Sequence, residues 1–223
     1  MRATDRRCLR TRLALRDALA EEIADVGDLS RVTVTGVTQR ADVTRRTFYS
    51  HYRDIPALVA AIEDETISDL VPLAAQISQV TIPELEQAIR TFNACPGATQ
   101  VLAYFRENGK VLGALLGEGG DPAFVEKIKH MVRNVVEDRA RDGFSPLVEV
   151  GFDYYLTFVI SAEVGVLVRW LTTGMAESDD IMARIMTALL FVRPGDLYGR
   201  PIDFNLSVLS AELAEGGKEL LHG

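Results

Sequence analysis

Apolar side chains recur along most of the chain at intervals of three and four residues, which is the spacing of one helical face. Residues 5–26 show this spacing first, and Gly27 is expected to end the helix that they form. Its predicted apolar stripe comprises Leu9, Leu13, Ala20, Ile23 and Ala24. From Thr81 onward the pattern predicts six more helices, at about residues 82–93, 98–106, 108–117, 122–141, 147–174 and 178–192. No Val- and Thr-rich alternation is long enough for a sheet, so the chain is predicted to be all-α.

Residues 33–52, TVTGVTQRADVTRRTFYSHY, are predicted to form two short helices joined by a tight turn. The inward face of the first helix is expected to carry Val34, Val37 and Ala41, and Thr33 or Thr35 can cap its start. Asp42 tolerates the left-handed conformation that such a turn requires, and Thr44 can cap a second helix that starts at the next residue.

The second of these helices combines a polar start with an aromatic anchor. It opens with Arg45, Arg46 and Thr47, while Phe48 and Tyr52 lie four residues apart and can hold its other face. A polar tip on a buried stem suits insertion into a DNA major groove, which is about 12 Å wide. The alternative is an ordinary helical hairpin with two solvated arginines.

The distribution of charge bears on this alternative. The whole chain has a net charge of −8, which by itself argues against a nucleic-acid partner. Residues 1–53, however, contain eleven Arg, no Lys and seven acidic residues, for a net charge of +4, and the remainder carries −12. The basic charge is therefore concentrated around the two short helices, which favours a single DNA-docking face. Arginines at the start of the first helix could contact phosphates, or they could form a solvated face.

A long helix is predicted to follow. Asp54 can cap it and Pro56 is tolerated in its first turn; it either continues past Pro72 or ends there. The chain is accordingly divided into residues 1–53, a connecting helix at 54–78, a helical domain at 79–192, and a tail at 193–223 that adds one more helix or is partly disordered.

Taken together, the first 65 residues or so resemble the DNA-binding domain of the tetracycline-repressor (TetR) family of bacterial transcription regulators. The residues that match the family's usual pattern are Ala41, Val43, Thr44, Arg45, Thr47, Phe48, Tyr49, His51, Tyr52 and Leu58. Three positions depart from it: Asp42 replaces a frequent glycine, Arg46 a small residue, and Ile55 a lysine that meets a phosphate. The resemblance implies a three-helix, helix-turn-helix DNA-binding domain followed by a helical ligand-binding and dimerisation domain.

On this resemblance, we expect double-stranded DNA as a partner, in the form of a near-palindromic operator. Arg45 and Arg46 are the expected base readers, since a guanidinium makes two hydrogen bonds to guanine. The remaining expected DNA contacts come from Thr33, Thr44, Thr47, Tyr49, His51, Tyr52 and Arg53, the last of which could replace the missing lysine.

The C-terminal part also resembles, more loosely, a subgroup that includes dihydroxyacetone-kinase operon regulators. That resemblance rests on residues 104–124, YFRENGKVLGALLGEGGDPAF, and 168–175, VRWLTTGM, and it does not identify a ligand. A pocket for an unknown small-molecule effector is predicted from aromatic and apolar side chains, which could equally be plain core: Phe92, Tyr104, Phe105, Leu112, Phe124, Met131, Tyr155, Phe158 and Trp170.

Residues 154–171 form the most apolar stretch and approach membrane-spanning length, but Glu163 and Arg169 interrupt them, so no membrane partner is expected. A helix that is apolar nearly all round must be covered on more than one side. With residues 178–192 it could form a four-helix bundle across a two-fold axis, giving a homodimer; the alternative is an internal helix of a monomer.

The sequence offers little for catalysis. Cys8 and Cys95 have no metal-ligand spacing, and the histidines lie in separate segments. The stretch Gly117-Glu118-Gly119-Gly120 is not followed by the Lys-Ser or Lys-Thr of a phosphate loop. No enzyme activity, metal or cofactor is therefore expected, and the cytoplasm is the default location. The predicted function is a repressor released by a small-molecule effector; the alternatives are an activator, or a DNA-bound protein-interaction module without an effector.

Overall fold

The structure is a computed structural model that describes residues 3–140 and 149–190. Within these ranges the regular elements are helical, which confirms the predicted all-α fold. The ten α-helices are α1 (Ala3–Val26), α2 (Val34–Arg40), α3 (Arg45–Tyr49), α4 (Ile55–Ser78), α5 (Ile82–Arg90), α6 (Ala98–Glu107), α7 (Gly109–Leu116), α8 (Pro122–Ala140), α9 (Glu149–Thr172) and α10 (Asp179–Leu189), and a 3-10 turn spans Leu29–Arg31. The predicted tail at 193–223 lies outside the described residues.

The buried face of α1 differs from the predicted stripe. Leu15 and Leu19 are fully buried, whereas Leu9 and Leu13 remain 46% and 49% exposed and Ala24 is exposed as well. This difference arises because α2 and α7 pack against the second half of α1. The polar contacts that α1 makes with α2 and with the start of α7 lie between residues 16 and 25 of α1. The three- and four-residue spacing fits more than one face of this helix, and the packing partners select one.

The N-terminal region, residues 3–54, closes around a small core. Val37 of α2 and Phe48 of α3 are fully buried and pack with α1 and with Leu58 at the start of α4. Asp54 caps α4, since its carboxylate accepts a hydrogen bond from the Ala57 N–H at 2.8 Å. The N-terminal region is therefore fixed to the first turns of the helix that leads away from it.

Helix α4 runs through Pro72 without ending, which decides between the two predicted possibilities. Leu70 faces the core, while Val71 and Pro72 are exposed. On that side water can bind the carbonyl that loses its partner to the proline ring. As a single helix of 24 residues, α4 connects the N-terminal region to the rest of the chain.

The C-terminal body, residues 55–140 and 149–190, is a layered bundle in which α4 packs on α6 and α8, α9 on α7 and α8, and α10 on α6. Phe105, Leu112, Leu115 and Phe124 fill its centre. Arg106 of α6 lies 5.0 Å from the centre of the Trp170 ring and pairs with Asp179 at 2.5 Å, which ties α6 to α9 and α10.

Helix α9 contains a stretch, Asp153–Thr172, that is long and apolar enough to cross a membrane by length and composition. One side of this stretch belongs to the core of the chain, through Leu156, Ile160, Val164 and Leu167. The other side is exposed and includes Tyr154, Tyr155 and Phe158.

Candidate DNA-binding surface

The turn between α2 and α3 has the backbone geometry that its sequence predicts. Asp42 adopts a left-handed conformation with φ +50°, and the Val43 N–H donates to the Thr38 carbonyl at 3.1 Å across the turn. At the start of α2, the Thr33 hydroxyl accepts a hydrogen bond from the Gly36 N–H at 3.0 Å. These bonds fix the angle at which α3 leaves α2.

Helix α3 presents polar side chains above one buried anchor. The Thr44 hydroxyl accepts a hydrogen bond from the Thr47 N–H at 3.1 Å and so caps the helix. Phe48 has no exposed surface, and its ring contacts Tyr49 edge-to-face with the centroids 5.6 Å apart. The side chains of Arg45, Arg46 and Tyr49 are exposed. A rigidly held helix start with two outward guanidiniums is suited to the edges of bases.

The two arginines differ in their surroundings. The guanidinium of Arg45 donates to the hydroxyl of Thr35, so α2 holds this side chain in place. Two arginines on one helical turn can reach adjacent positions of a groove, and the one that is held loses less entropy on binding.

The other predicted contact residues lie behind or beside this helix. Tyr52 is half-buried, with its ring 6.0 Å from that of Phe48, and His51 is half-buried with Nδ1 3.9 Å from the Cys8 sulfur. Arg53 is 87% exposed and pairs with Asp54 at 2.9 Å. The structure thus groups Thr44, Arg45, Arg46 and Tyr49 on one exposed surface, and places Tyr52 in a supporting position.

Ile55, where the family pattern has a lysine, is only 8% exposed and belongs to the core. The side chain at this position therefore offers no charge to a phosphate, whereas Arg53, two residues earlier, is exposed.

One structural cluster was not predicted from the sequence. Arg40 pairs with Glu22 at 2.6 Å and with Asp25 at 2.5 Å, which joins α2 to α1. Glu22 is only 8% exposed because it lies directly over Gly36, where an added Cβ would come within 1.8 Å of its Oε1. The hydrogen bond that Arg40 donates to Glu22 raises the pKa of Arg40, and both carboxylates offset its charge. The signal available in the sequence was the glycine within α2, whose missing side chain leaves room for the carboxylate.

The predicted pocket residues differ widely in burial. Phe105, Leu112, Phe124, Met131 and Trp170 are core side chains, each at most 8% exposed. Tyr104 is half-buried, and its hydroxyl donates to Asp69 at 3.2 Å. Phe92, Tyr155 and Phe158 are on the surface, with exposures of 81%, 56% and 71%. Aromatic side chains at helical spacing thus divide here into core and outer surface.

Comparison with known proteins gives a family match in the C-terminal part. Residues 93–191 match a family model described as the C-terminal region of transcriptional regulators, TetR_C_8. An uncharacterized HTH-type transcriptional regulator from Bacillus subtilis (strain 168), YxbF, is 22% identical over 192 residues. The match covers 85% of this chain and 47% of that protein, so the chain spans about half the length of this relative.

Two solved structures match much of the chain. A TetR transcriptional regulator from Streptococcus agalactiae 2603V superimposes with a TM-score of 0.54 at 22% identity, covering 84% of this chain and 97% of the other. The dihydroxyacetone kinase operon activator DhaS has a TM-score of 0.49 at 14% identity, covering 79% and 93% of the two chains. The first similarity supports the two-part helical architecture over most of the chain.

Proposed function

We propose that this chain, which belongs to the TetR family of transcriptional regulators, binds a near-palindromic DNA operator as a homodimer through α3. The observation that carries the proposal is the pair of exposed arginines, Arg45 and Arg46, on a helix start anchored by the fully buried Phe48. Arg45 and Arg46 would form hydrogen bonds with the base edges, and Thr44 and Tyr49 would contact the DNA backbone. Thr33, Thr47, His51, Tyr52 and Arg53 would position the helix or add phosphate contacts.

The homodimer is supported by an apolar surface on α9 and α10. Tyr154, Tyr155 and Phe158 of α9 are more than half exposed, and Ile181, Ile185 and Leu189 of α10, four residues apart, are between 39% and 51% exposed. Two such helices from each of two copies form a four-helix bundle that covers these side chains. A two-fold axis through the bundle would place two α3 helices about 34 Å apart, one turn of DNA.

We further propose that the chain is a repressor and that a small-molecule effector releases it from DNA. An effector changes DNA affinity only if it binds the DNA-competent arrangement and the other arrangement unequally. Helix α4 is capped by Asp54 in the N-terminal region's last loop and packs against α6 and α8 of the body, so it is the element that would transmit the change. An activator would use the same coupling with the opposite sign.

The test of DNA binding is selection from random duplex DNA at physiological salt, followed by affinity measurements over a range of salt concentrations. A dimer predicts an enriched site with two-fold symmetry, and the salt dependence gives the number of phosphates contacted. Selection of no sequence, or of a single unrepeated half-site, would contradict the proposal.

Substitutions on α3 test the roles of individual residues. Arg46→Ala should cost roughly 1–3 kcal/mol on the selected site and little on random DNA, because it removes base contacts. Tyr49→Phe should weaken both equally. Arg90→Ala, which removes a 78% exposed arginine of α5, is the matched control and should leave both affinities unchanged. Equal losses on both DNAs for Arg46→Ala would remove its assignment as a base reader.

The second candidate is a DNA-bound interaction module that uses its acidic body to hold another protein and has no small-molecule effector. It is favoured by the net charge of −12 outside residues 1–53. Thermal unfolding in the presence of a metabolite library separates the two, because a true effector stabilises the folded chain by mass action.

A further inference from the structure

A cleft of about 380 Å³ lies where the N-terminal region meets the C-terminal body. One wall is the 3-10 turn with Leu29, a second is the start of α4, and a third is the start of α8. Six of the ten lining residues are apolar, among them Ile55 and Val59, and the polar ones include Glu63, Asp121 and Lys127. This volume falls in the range of small-molecule sites, and the lining has their usual character: mostly apolar with a few polar groups.

Glu63 is the unusual member of this lining. It is only 1% exposed, and its Oε2 accepts a hydrogen bond from Lys127 Nζ at 2.5 Å. Its other oxygen, Oε1, is buried and has no hydrogen-bond partner among the described residues. A buried acceptor without a donor costs free energy, more so when the group is a carboxylate.

The charges around Glu63 do not balance. Burial raises the pKa of the Glu63 carboxyl, Lys127 acts in the opposite direction, and the nearby Asp121 raises the pKa further. One Asp121 oxygen already accepts the Ala123 N–H at 2.8 Å. The carboxylates of Glu63 and Asp121 therefore face the single ammonium group of Lys127, and one more positive charge at this place would be stabilised.

We infer that this cleft binds a small organic ammonium compound, whose charged nitrogen donates to Glu63 Oε1 and Asp121 while its apolar part packs on Ile55 and Val59. A metal ion fits less well, because among the described residues there is no group of three or more His, Cys, Asp and Glu side chains that could hold one. An anion would meet two carboxylates. An ammonium donor offsets the excess negative charge and satisfies the buried oxygen.

A ligand in this cleft would contact both parts of the molecule. The two parts already meet beside it, where the Leu29 N–H donates to the Gly119 carbonyl at 2.7 Å, and a ligand between the 3-10 turn, α4 and α8 adds to that junction. If the proposed DNA binding is correct, the ligand and the operator change each other's affinity by the same factor. This last step rests on the proposed function; binding of the ammonium compound does not.

The test compares three probes of equal chain length, n-hexylamine, n-hexanol and n-hexanoate, in thermal unfolding of the full chain at about pH 8, where the amine is protonated and the hexanoate is ionised. For so small a ligand we expect a Kd near 1 mM. At ten times that concentration hexylamine should raise the unfolding midpoint by roughly 3–6 °C, and the other two should not. Equal shifts with hexanol, a larger shift with hexanoate, or no shift up to about 50 mM hexylamine would overturn the inference.

Three variants locate the site. Glu63→Gln keeps the shape and a bond to Lys127, and should weaken hexylamine binding about tenfold or more. Asp64→Asn removes the same charge from an exposed neighbour on α4 and should leave the shift intact. Should Glu63→Gln fail to fold, Ala60→Phe provides an independent test, because Ala60 is exposed, lines the cleft, and would place a ring in it. An unchanged shift in Ala60→Phe or in folded Glu63→Gln would overturn the site.

The thermal measurement needs no DNA, so it separates this inference from the proposed function. A hexylamine shift lost in Glu63→Gln supports the cleft site even if the chain selects no operator. Where an operator is selected, titration with hexylamine should alter its affinity in the wild-type chain and in Asp64→Asn, but not in Glu63→Gln.

Discussion

Helix α3 and the pair α9–α10 are both anchored in the core on one side, yet they expose opposite chemistry on the other. Above the buried Phe48, α3 presents Arg45, Arg46 and Tyr49. Opposite the buried Leu156 and Ile160, α9 presents aromatic rings. Exposed guanidiniums cost nothing in water and are suited to a charged partner, whereas exposed apolar rings are stabilised only when another surface covers them.

The difference also determines which surface the sequence can reveal. The anchor and the polar tip of α3 lie within eight residues, so a local pattern contains both. Phe158 and Phe105 are both phenylalanines on apolar helical faces, and only packing separates their exposures of 71% and 2%. The nature of a surface is therefore easier to predict when its polar and apolar parts are close in sequence.

The largest expected effect is on the anchor of α3. Phe48→Ala should cost about 3–5 kcal/mol in the free energy of unfolding of the N-terminal region and abolish DNA binding, because a fully buried ring is replaced by a cavity. Urea unfolding measures the first and electrophoretic mobility shift the second. Tyr49→Ala, at a 57% exposed position on the same helix, should cost about 1 kcal/mol or less. Similar costs for the two variants would mean that Phe48 is not the anchor.

The next largest effect is expected on α9. Phe158→Arg should weaken dimerisation about 100-fold or more, because an arginine in the centre of an apolar interface is left without a partner, while the fold of the monomer is retained. Sedimentation equilibrium measures the dissociation constant. Leu13→Arg is the control, because it changes a 49% exposed apolar side chain on α1, a helix that packs on α2 and α7. Dissociation by both variants, or by neither, would argue against this surface as the interface.

Much of the fold could be predicted because its signals are local. Asp42, Thr44 and Asp54 have the conformation or the capping bonds that their residue types favour, and most helix bounds fall within two or three residues of those predicted. The buried face of α1 could not be predicted in this way, because Leu9 and Leu15 are equally apolar. Which of them is buried depends on the packing of α2 and α7, and most of that packing partner surface is distant in sequence. Local chemistry fixes the elements, and long-range packing fixes their faces.

The candidate sites follow the same division. The α3 surface was predictable from consecutive residues. The Glu22–Arg40 pair and the cleft at Glu63 were not, because each joins side chains that are 18 or 64 positions apart in the chain. A carboxylate within an apolar helix face, as at Glu63, is a signal that sequence reasoning could have used, but its partner Lys127 is identified only by the fold.

The junction between the two regions gives a third, smaller effect. Gly119→Ala should cost about 2–3 kcal/mol, because its φ is +80° and the added Cβ would come within 2.2 Å of the Gly27 carbonyl oxygen, opening the hydrogen bond from the Leu29 N–H. Gly174→Ala has a similar φ of +92° with no atom within 4 Å, so it should show the backbone cost alone, about 1 kcal/mol. Chemical unfolding gives the free energy of unfolding of both variants, and the difference between their costs is the contribution of the close contact between residue 119 and the Gly27 carbonyl. Equal costs would mean that the two loops can separate without loss of stability.

The smallest effect concerns acidic groups, which also differ between the two regions. In the N-terminal region the Ser30 side chain and the Ser30 N–H lower the pKa of Asp28 by hydrogen bonding, and the Ala57 N–H lowers that of Asp54, so both carboxylates stabilise the folded state until the pH falls below about 4. In the C-terminal body, burial raises the pKa of Glu163 from 4.5 to about 7. The folded state therefore binds more protons at Glu163 than the unfolded state between these values, and stability decreases as the pH rises through this window.

Replacing Glu163 should reverse this dependence. Glu163→Gln cannot ionise, so the variant should be about 1–2 kcal/mol more stable than the wild-type chain at pH 8 and nearly equal to it at pH 5, after allowance for screening at a half-buried side chain. Thermal unfolding at intervals between these two pH values measures the difference. Glu118→Gln, at an exposed position, should follow the wild-type profile throughout. A Glu163→Gln profile parallel to that of the wild-type chain would mean that solvent reaches this carboxylate, because only desolvation makes its ionisation unfavourable.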